Sequence, residues 1–148
     1  MHEFFQPAPQ CTGVKGLVLL GEKTISVRRD NNAPDAKGLL DLLGGRAEPT
    51  DASPFETFRR EVFEEAGVHI SENDIIYTKS YPGIKQPDTH TYFAVARLAD
   101  NAGASMQLGN EGSELLLLTP EEFVARTDAW DIFQQRTADY LETTRNPS

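Results

Sequence analysis

A chain of 148 residues with 39% hydrophobic and 25% charged content suits one globular domain with a single sizeable core. Its 14 basic and 23 acidic residues leave a net charge of −9, a field that repels nucleic acid and anionic membrane, and no basic run offers a phosphate-tracking surface. A single cysteine (Cys11), no Cys/His cluster at zinc spacing, no membrane-length apolar run and no leader-like pattern in MHEFFQPAPQ predict a cytoplasmic protein with neither DNA nor membrane as partner.

In chain order, residues 1–13 carry Pro7, Pro9 and Gly13 and predict an irregular arm. One domain then spans 14–144, and 145–148 is a fraying tail. Gly16–Leu20 is an apolar strand, Gly21-Glu22-Lys23 a turn, and Thr24–Arg29 an alternating strand, together a hairpin. Asp30–Gly38 is loop by composition, and Leu39–Leu43 is a short strand running into Gly44-Gly45. Ser53 as cap, Pro54 at the first helical position, Glu56 three after the cap and Gly67 as stop predict a helix over Pro54–Ala66. Val68–Ile70 and Ile75–Tyr81 read as extended. Thr91–Leu98 reads as a central strand and Leu115–Leu118 as a buried one. Thr119-Pro120-Glu121-Glu122 repeats the capping pattern and opens a short helix. A last helix over Asp128–Thr143 has Trp130, Phe133, Tyr140 and Leu141 as its apolar face.

The helix at Pro54–Ala66 carries the chemistry. At about 100° per residue, Glu61, Glu64 and Glu65 share one face, while Phe55, Phe58, Val62 and Ala66 share the adjoining one. A solvated acidic face is the ordinary reading of such a pattern. Three details oppose it. Glu61 and Glu65 are like charges four apart, which repel. All three lie in the C-terminal half, where the helix dipole disfavours anions. No Lys or Arg follows any of them at three or four residues; only Arg60, four before Glu64, compensates. A bound cation would offset the repulsion, and Mg²⁺ takes few carboxylates while keeping room for waters and phosphate oxygens.

These residues resemble the signature of the Nudix hydrolases, the MutT-like pyrophosphohydrolases. Gly45, Arg60, Glu61, Val62, Glu64, Glu65, Gly67 and Val68 match it. Asp51 stands where the family has Glu, Ala52 is a one-residue insertion, and Thr50 replaces a Gly. The resemblance implies an α/β fold, an α/β/α sandwich around a mixed β-sheet. It implies hydrolysis of the pyrophosphate in a nucleoside diphosphate linked to another group, with Mg²⁺ or Mn²⁺ as cofactor and a small nucleotide derivative as partner. It also implies Glu61, Glu64 and Glu65 as metal ligands, one of them the water-activating base. The Gly44 carbonyl becomes a further ligand, and Arg60 orients the glutamates by salt bridge. Opposing effects of crowding and metal on the carboxylates predict alkaline, metal-dependent activity. Homodimers are common in the family, which leaves that assembly open.

The family often adds a carboxylate from a later loop, here Glu111 or Glu114, although a solvated loop Glu is the plain alternative. Glu48 is either an exposed loop charge or a neighbour of the metal. His90 and Tyr92 read as packing or pocket wall, Arg28 and Arg29 as solvated strand ends, Trp130 and Phe133 as core, and Cys11 as an ordinary thiol. The competing functions are a catalytically weak Nudix-fold binding module, supported by the altered loop around Asp51, an RNA 5′-end pyrophosphohydrolase, and an acidic helix without metal.

Overall fold

A strand that is apolar on both faces needs cover on both faces. The first strand is of that kind: Val14 and Val18 enter one buried cluster, Leu17 and Leu19 the other. The computed structural model describes residues 1–83, 85–109 and 112–145. Six strands form the sheet: β1 (Cys11–Leu20), β2 (Lys23–Arg29), β3 (Leu40–Arg46), β4 (Ile75–Pro82), β5 (His90–Leu98) and β6 (Gly112–Leu118). Helix α1 (Pro54–Ala66) covers one face through Phe55, Phe58, Val62 and Ala66. Helices α2 (Pro120–Ala125) and α3 (Asp131–Arg145) cover the other through Phe123, Phe133 and Tyr140. The result is the expected α/β/α sandwich.

The strand order is β4-β5-β1-β3-β2-β6. β1 and β5 run parallel, and the other neighbours are antiparallel. β1 and β2 pair directly only at Leu19–Thr24 and Leu20–Lys23, next to their turn. Beyond it β3 lies between them, bonded to β1 through Leu43–Arg46 and to β2 through Leu40–Leu42. This placement carries Gly44-Gly45 to the end of the sheet beside α1.

Several elements differ from the sequence reading. The strand begins at Cys11, and part of the arm is ordered: His2–Phe5 makes a 3-10 turn and Phe4 is fully buried. Its ring meets Phe55 and Tyr92 edge-on, at centroid distances of 6.3 and 5.3 Å. β6 is an edge strand, not a buried one. It pairs only with β2, and Leu117 is 42% exposed. Val68–Ile70 forms no strand, although Val68 and Ile70 are buried in the core beneath α1. α3 starts at Asp131 because Asp128–Trp130 is bonded elsewhere: the Leu40 N–H donates to the Asp128 carbonyl, and the Trp130 N–H to the Leu40 carbonyl. Among the described residues no helix is long and apolar enough to cross a membrane.

Replacing Phe4 with Ala removes a ring from a closed aromatic cluster. It is expected to cost about 3 kcal/mol of folding stability, measured by urea denaturation.

Candidate active site

α1 keeps its predicted bounds because both ends are fixed locally. Ser53 Oγ accepts the Glu56 N–H at 3.2 Å, and Gly67 closes the helix at φ 68°. The capping box is half-formed: the Glu56 carboxylate pairs with Arg59 rather than turning back to the cap. With its apolar face against β1 and β3, the helix lays its carboxylates over Gly44-Gly45.

The two glycines meet separate demands. A Cβ on Gly45 would fall 2.6 Å from the Glu61 carboxyl carbon, so a side chain there would push that carboxylate out of its place. Gly44 has φ +129°, and a Cβ there would sit 2.0 Å from the Val14 carbonyl oxygen. The Gly44 N–H donates to Glu65 Oε1 at 2.8 Å.

Arg60 gathers the remaining acids. Its Nε and Nη2 donate to the two oxygens of Asp51, each at 3.0 Å, a bidentate pair. Nη1 reaches Glu61 at 3.0 Å, both oxygens of Glu64 at 3.3 and 3.2 Å, and Glu48 at 3.5 Å, while Nη2 also donates to the Arg46 carbonyl. Asp51 is itself anchored by the Thr57 hydroxyl and the Glu48 N–H, both at 2.9 Å. The altered loop therefore still fixes the arginine. Burial pushes the Asp51 carboxyl up, but Arg60, the Glu48 N–H and Thr57 outweigh it, and its pKa is lowered. Asp51, followed by Glu61, holds Arg60 protonated above its ordinary range.

The glutamates nearer the core behave oppositely. Burial raises Glu65 to about 8, against the pull of Lys15 and the Gly44 N–H, with Asp41 and Glu61 adding to the rise. Burial also raises Glu61, and Arg60 offsets only part of the effect.

The donor set fits a hard divalent cation: Glu61, Glu64, Glu65 and the Gly44 carbonyl are all oxygen ligands. Glu61 and Glu65 each keep one oxygen without a hydrogen-bond partner, and no buried side-chain oxygen is orphaned among the described residues, so both oxygens reach solvent. The glycine cradle beneath Glu61 leaves that space free of a Cβ. Among the described residues, however, no three acidic or His/Cys side chains already converge at metal-holding distance. Arg60 draws Glu61 and Glu64 together, while Glu65 turns to Gly44.

Glu111 lies outside the described residues. Glu114 is not brought to this face. It pairs with Arg28, which also binds Asp128 in front of α3, on the opposite side of the sheet. Arg28 and Arg29 are thus ion-paired rather than solvated, Arg29 with Asp41 at 3.2 Å. His90 packs edge-on against Tyr92, whose other neighbour is Phe4.

Sequence reasoning passed over Lys15 and Asp41. Asp41 is fully buried, and Lys15 Nζ reaches it at 2.7 Å and also donates to the Gly44 carbonyl at 3.1 Å. The signal was one lone charge of opposite sign in each of two apolar strands, a pattern that predicts pairing when both are buried.

Because Glu65 titrates higher in the folded chain than in the unfolded one, its contribution to stability is complete below about pH 4.5 and is lost as pH rises through about 8. In chelator, Glu65→Gln is expected to gain on the parent by about 1.4 kcal/mol or more between pH 5 and pH 8.5. Thermal melts at the two pH values check this; a pH-independent difference would count against it.

The NUDIX domain family matches residues 11–139. No curated protein matches the chain. Among solved structures, the MutT protein of Methanosarcina mazei superposes with a TM-score of 0.72 at 21% identity, covering 96% of this chain and 99% of that one. The C. elegans Ap4A hydrolase, in a binary complex, superposes at 0.65 and 13% identity over 90% and 98%. A bifunctional NMN adenylyltransferase/ADP ribose pyrophosphatase from Francisella tularensis, complexed with AMP and a Mn ion, superposes at 0.61 and 18% identity over 90% of this chain and 42% of that one.

Proposed function

The chain belongs to the Nudix family of hydrolases, and on that premise we propose that it splits the pyrophosphate of a nucleoside diphosphate linked to another group, with Mg²⁺ or Mn²⁺ as cofactor. The observation that carries this reading is the Arg60 cluster. One guanidinium holds Glu61 and Glu64 on a helix face whose Glu61 carboxylate lies against Gly45, and the Gly44 N–H holds Glu65.

Glu61, Glu64, Glu65 and the Gly44 carbonyl would hold the cation. When bound, the cation neutralises phosphate charge and makes an attacking water more acidic. A carboxylate of the cluster takes the water's proton as it attacks phosphorus in line. Burial raises the proton affinity of both Glu61 and Glu65, Glu65 to about 8, which favours proton uptake by either. Arg60, clamped by Asp51, keeps the carboxylates oriented. The names of the neighbours, an ADP-ribose pyrophosphatase and an Ap4A hydrolase, support a pyrophosphate-linked nucleotide as substrate, and the Mn ion in the former supports the cofactor. The changed loop gives little support to a catalytically weak module, because Asp51 still fixes Arg60.

The test is a hydrolysis screen over sugar nucleotides, ADP-ribose, dinucleoside polyphosphates and damaged nucleotides, with product identification. Phosphate-bearing products are expected with Mg²⁺ or Mn²⁺, and none in excess chelator. Equal rates in both would overturn the reading; binding without product would replace the enzyme by a binding module. Glu64→Gln and Glu65→Gln are expected to weaken Mn²⁺ binding, read by titration. Asp51→Asn is expected to lower kcat about 10- to 100-fold, as loss of an orienting partner does, with the fold checked by circular dichroism.

A further inference from the structure

Arg136 is a buried cation that the catalytic cluster does not use. It projects from α3 toward the sheet and is 7% exposed. Its guanidinium lies 4.4 Å from the Tyr81 ring centroid and 5.4 Å from that of Phe133, so two aromatic rings hold its plane. Nη1 donates to Thr91 Oγ1 at 3.1 Å, the guanidinium's only hydrogen bond among the described residues. No described carboxylate lies within ion-pair distance of it. Asp139, three residues on, is engaged by the Tyr81 hydroxyl at 2.7 Å, by Gln135 at 3.2 Å and by Lys79 at 3.8 Å.

The two other cations on this face differ. Lys15 sits over Phe133 and Arg29 over Trp130, but both are paired with Asp41. Of the three, Arg136 alone has no carboxylate partner among the described residues. A guanidinium has five N–H donors, and a buried charge without a partner is costly. No buried side-chain nitrogen lacks a partner among the described residues, so the remaining donors of Arg136 open to solvent. The residue thus offers free N–H groups from a desolvated, rigid position, which is the arrangement that receives an oxyanion. Burial also lowers the Arg136 pKa, as expected of a cation without a counter-charge.

Its place in the sheet relates it to the carboxylate face. Thr91 pairs with Gly13 of β1, and Gly13 pairs with Arg46 at the end of β3. Two strand spacings, about 10 Å, separate Thr91 from the loop that follows Gly44-Gly45. Gly13 puts no side chain between them. Lys15 shares the Phe133 ring with Arg136 and donates to the Gly44 carbonyl at 3.1 Å, so on the α3 face Lys15 and Phe133 link Gly44 to Arg136, the path along which the far end of a substrate would lie.

We propose that Arg136 receives an oxyanion on the substrate: the group joined to the nucleoside diphosphate carries a phosphate or carboxylate of its own, which Arg136 binds through its free N–H edge. This rests on the pyrophosphohydrolase reading, and the test separates the two. Three nucleoside diphosphates are compared, linked to a neutral sugar, to the same sugar bearing a phosphate, and to the corresponding uronic acid. The parent is expected to favour one or both anionic forms, and which one it favours identifies the oxyanion. Arg136→Met is expected to raise KM for the favoured form about tenfold or more, as loss of a charged hydrogen bond does, with kcat and the KM of the neutral form little changed. Arg136→Lys keeps the charge and the stacking but not the fork, and is expected to fall between; it serves if Arg136→Met does not fold. A sugar phosphate titrated by calorimetry without metal is expected to bind the parent and not Arg136→Met. Unchanged KM ratios and equal titrations, with only a lower melting temperature in the variants, would overturn the proposal and leave Arg136 as a stacking clamp. If neither these three compounds nor those of the wider screen are hydrolysed by the parent, the pyrophosphohydrolase reading fails, and the titration still decides whether Arg136 binds an oxyanion.

Discussion

The site depends on one cation, Arg60. Three glutamates within five residues, at the unfavourable end of a helix dipole, repel one another and the helix. Arg60 makes the arrangement tolerable by taking Glu61 and Glu64 on one nitrogen and giving the rest of its fork to Asp51 and the Arg46 carbonyl. The arginine is therefore both counter-charge and spacer. It neutralises part of the repulsion, and its anchorage outside the helix sets where the carboxylates point. Asp51 bonds to Arg60 and, through Thr57, back to the same helix, so the loop and α1 form one rigid unit. The family's usual Glu at this point is replaced by a shorter acid one residue further from the arginine, and the shorter side chain still reaches.

A second charge cluster lies across the sheet. Asp41 is fully buried between Lys15 and Arg29, and Lys15 also touches the Gly44 carbonyl. Each of these cations rests on an aromatic ring, and Arg136 rests on two. A chain of net charge −9 thus concentrates basic side chains beside the one surface expected to meet phosphate. The global charge repels polyanions, and the carboxylates around Gly44 add to that repulsion until a cation offsets it. Trp130 and Phe133, read from the sequence as core, do pack beneath α3, and they also serve as platforms for these cations.

What was legible in the sequence was what neighbouring residues decide. Ser53, Pro54 and Gly67 set the ends of α1 without help from the rest of the chain, and the periodicity of Phe55, Phe58 and Val62 oriented its carboxylates. The match from Arg60 to Val68 then supplied the family. What was not legible required knowing which distant strands meet. Lys15 and Asp41 come together only because β3 runs beside β1. Leu115–Leu118 looked like a buried strand because an apolar run does not reveal whether it has one neighbour or two. Phe4 sat in a proline-containing arm whose composition predicts irregular structure, and its burial depends on Phe55 and Tyr92, far along the chain. The partner of Glu114 was likewise hidden until β6 was placed against β2.

The position of β3 has a consequence for how this molecule must assemble. A hairpin normally zips outward from its turn, since each new bond closes a small loop. Here β1 and β2 can zip for only two pairs before they must part to admit a third strand. A hairpin that closed completely would be a trap, and it would have to reopen before β3 could enter. The strand that has to enter is the one bearing Gly44 and Gly45. The sheet and the shelf beneath the glutamates are thus completed by the same long-range pairing, the kind that slows folding, and a chain that misregisters there lacks the shelf even if α1 is fully formed.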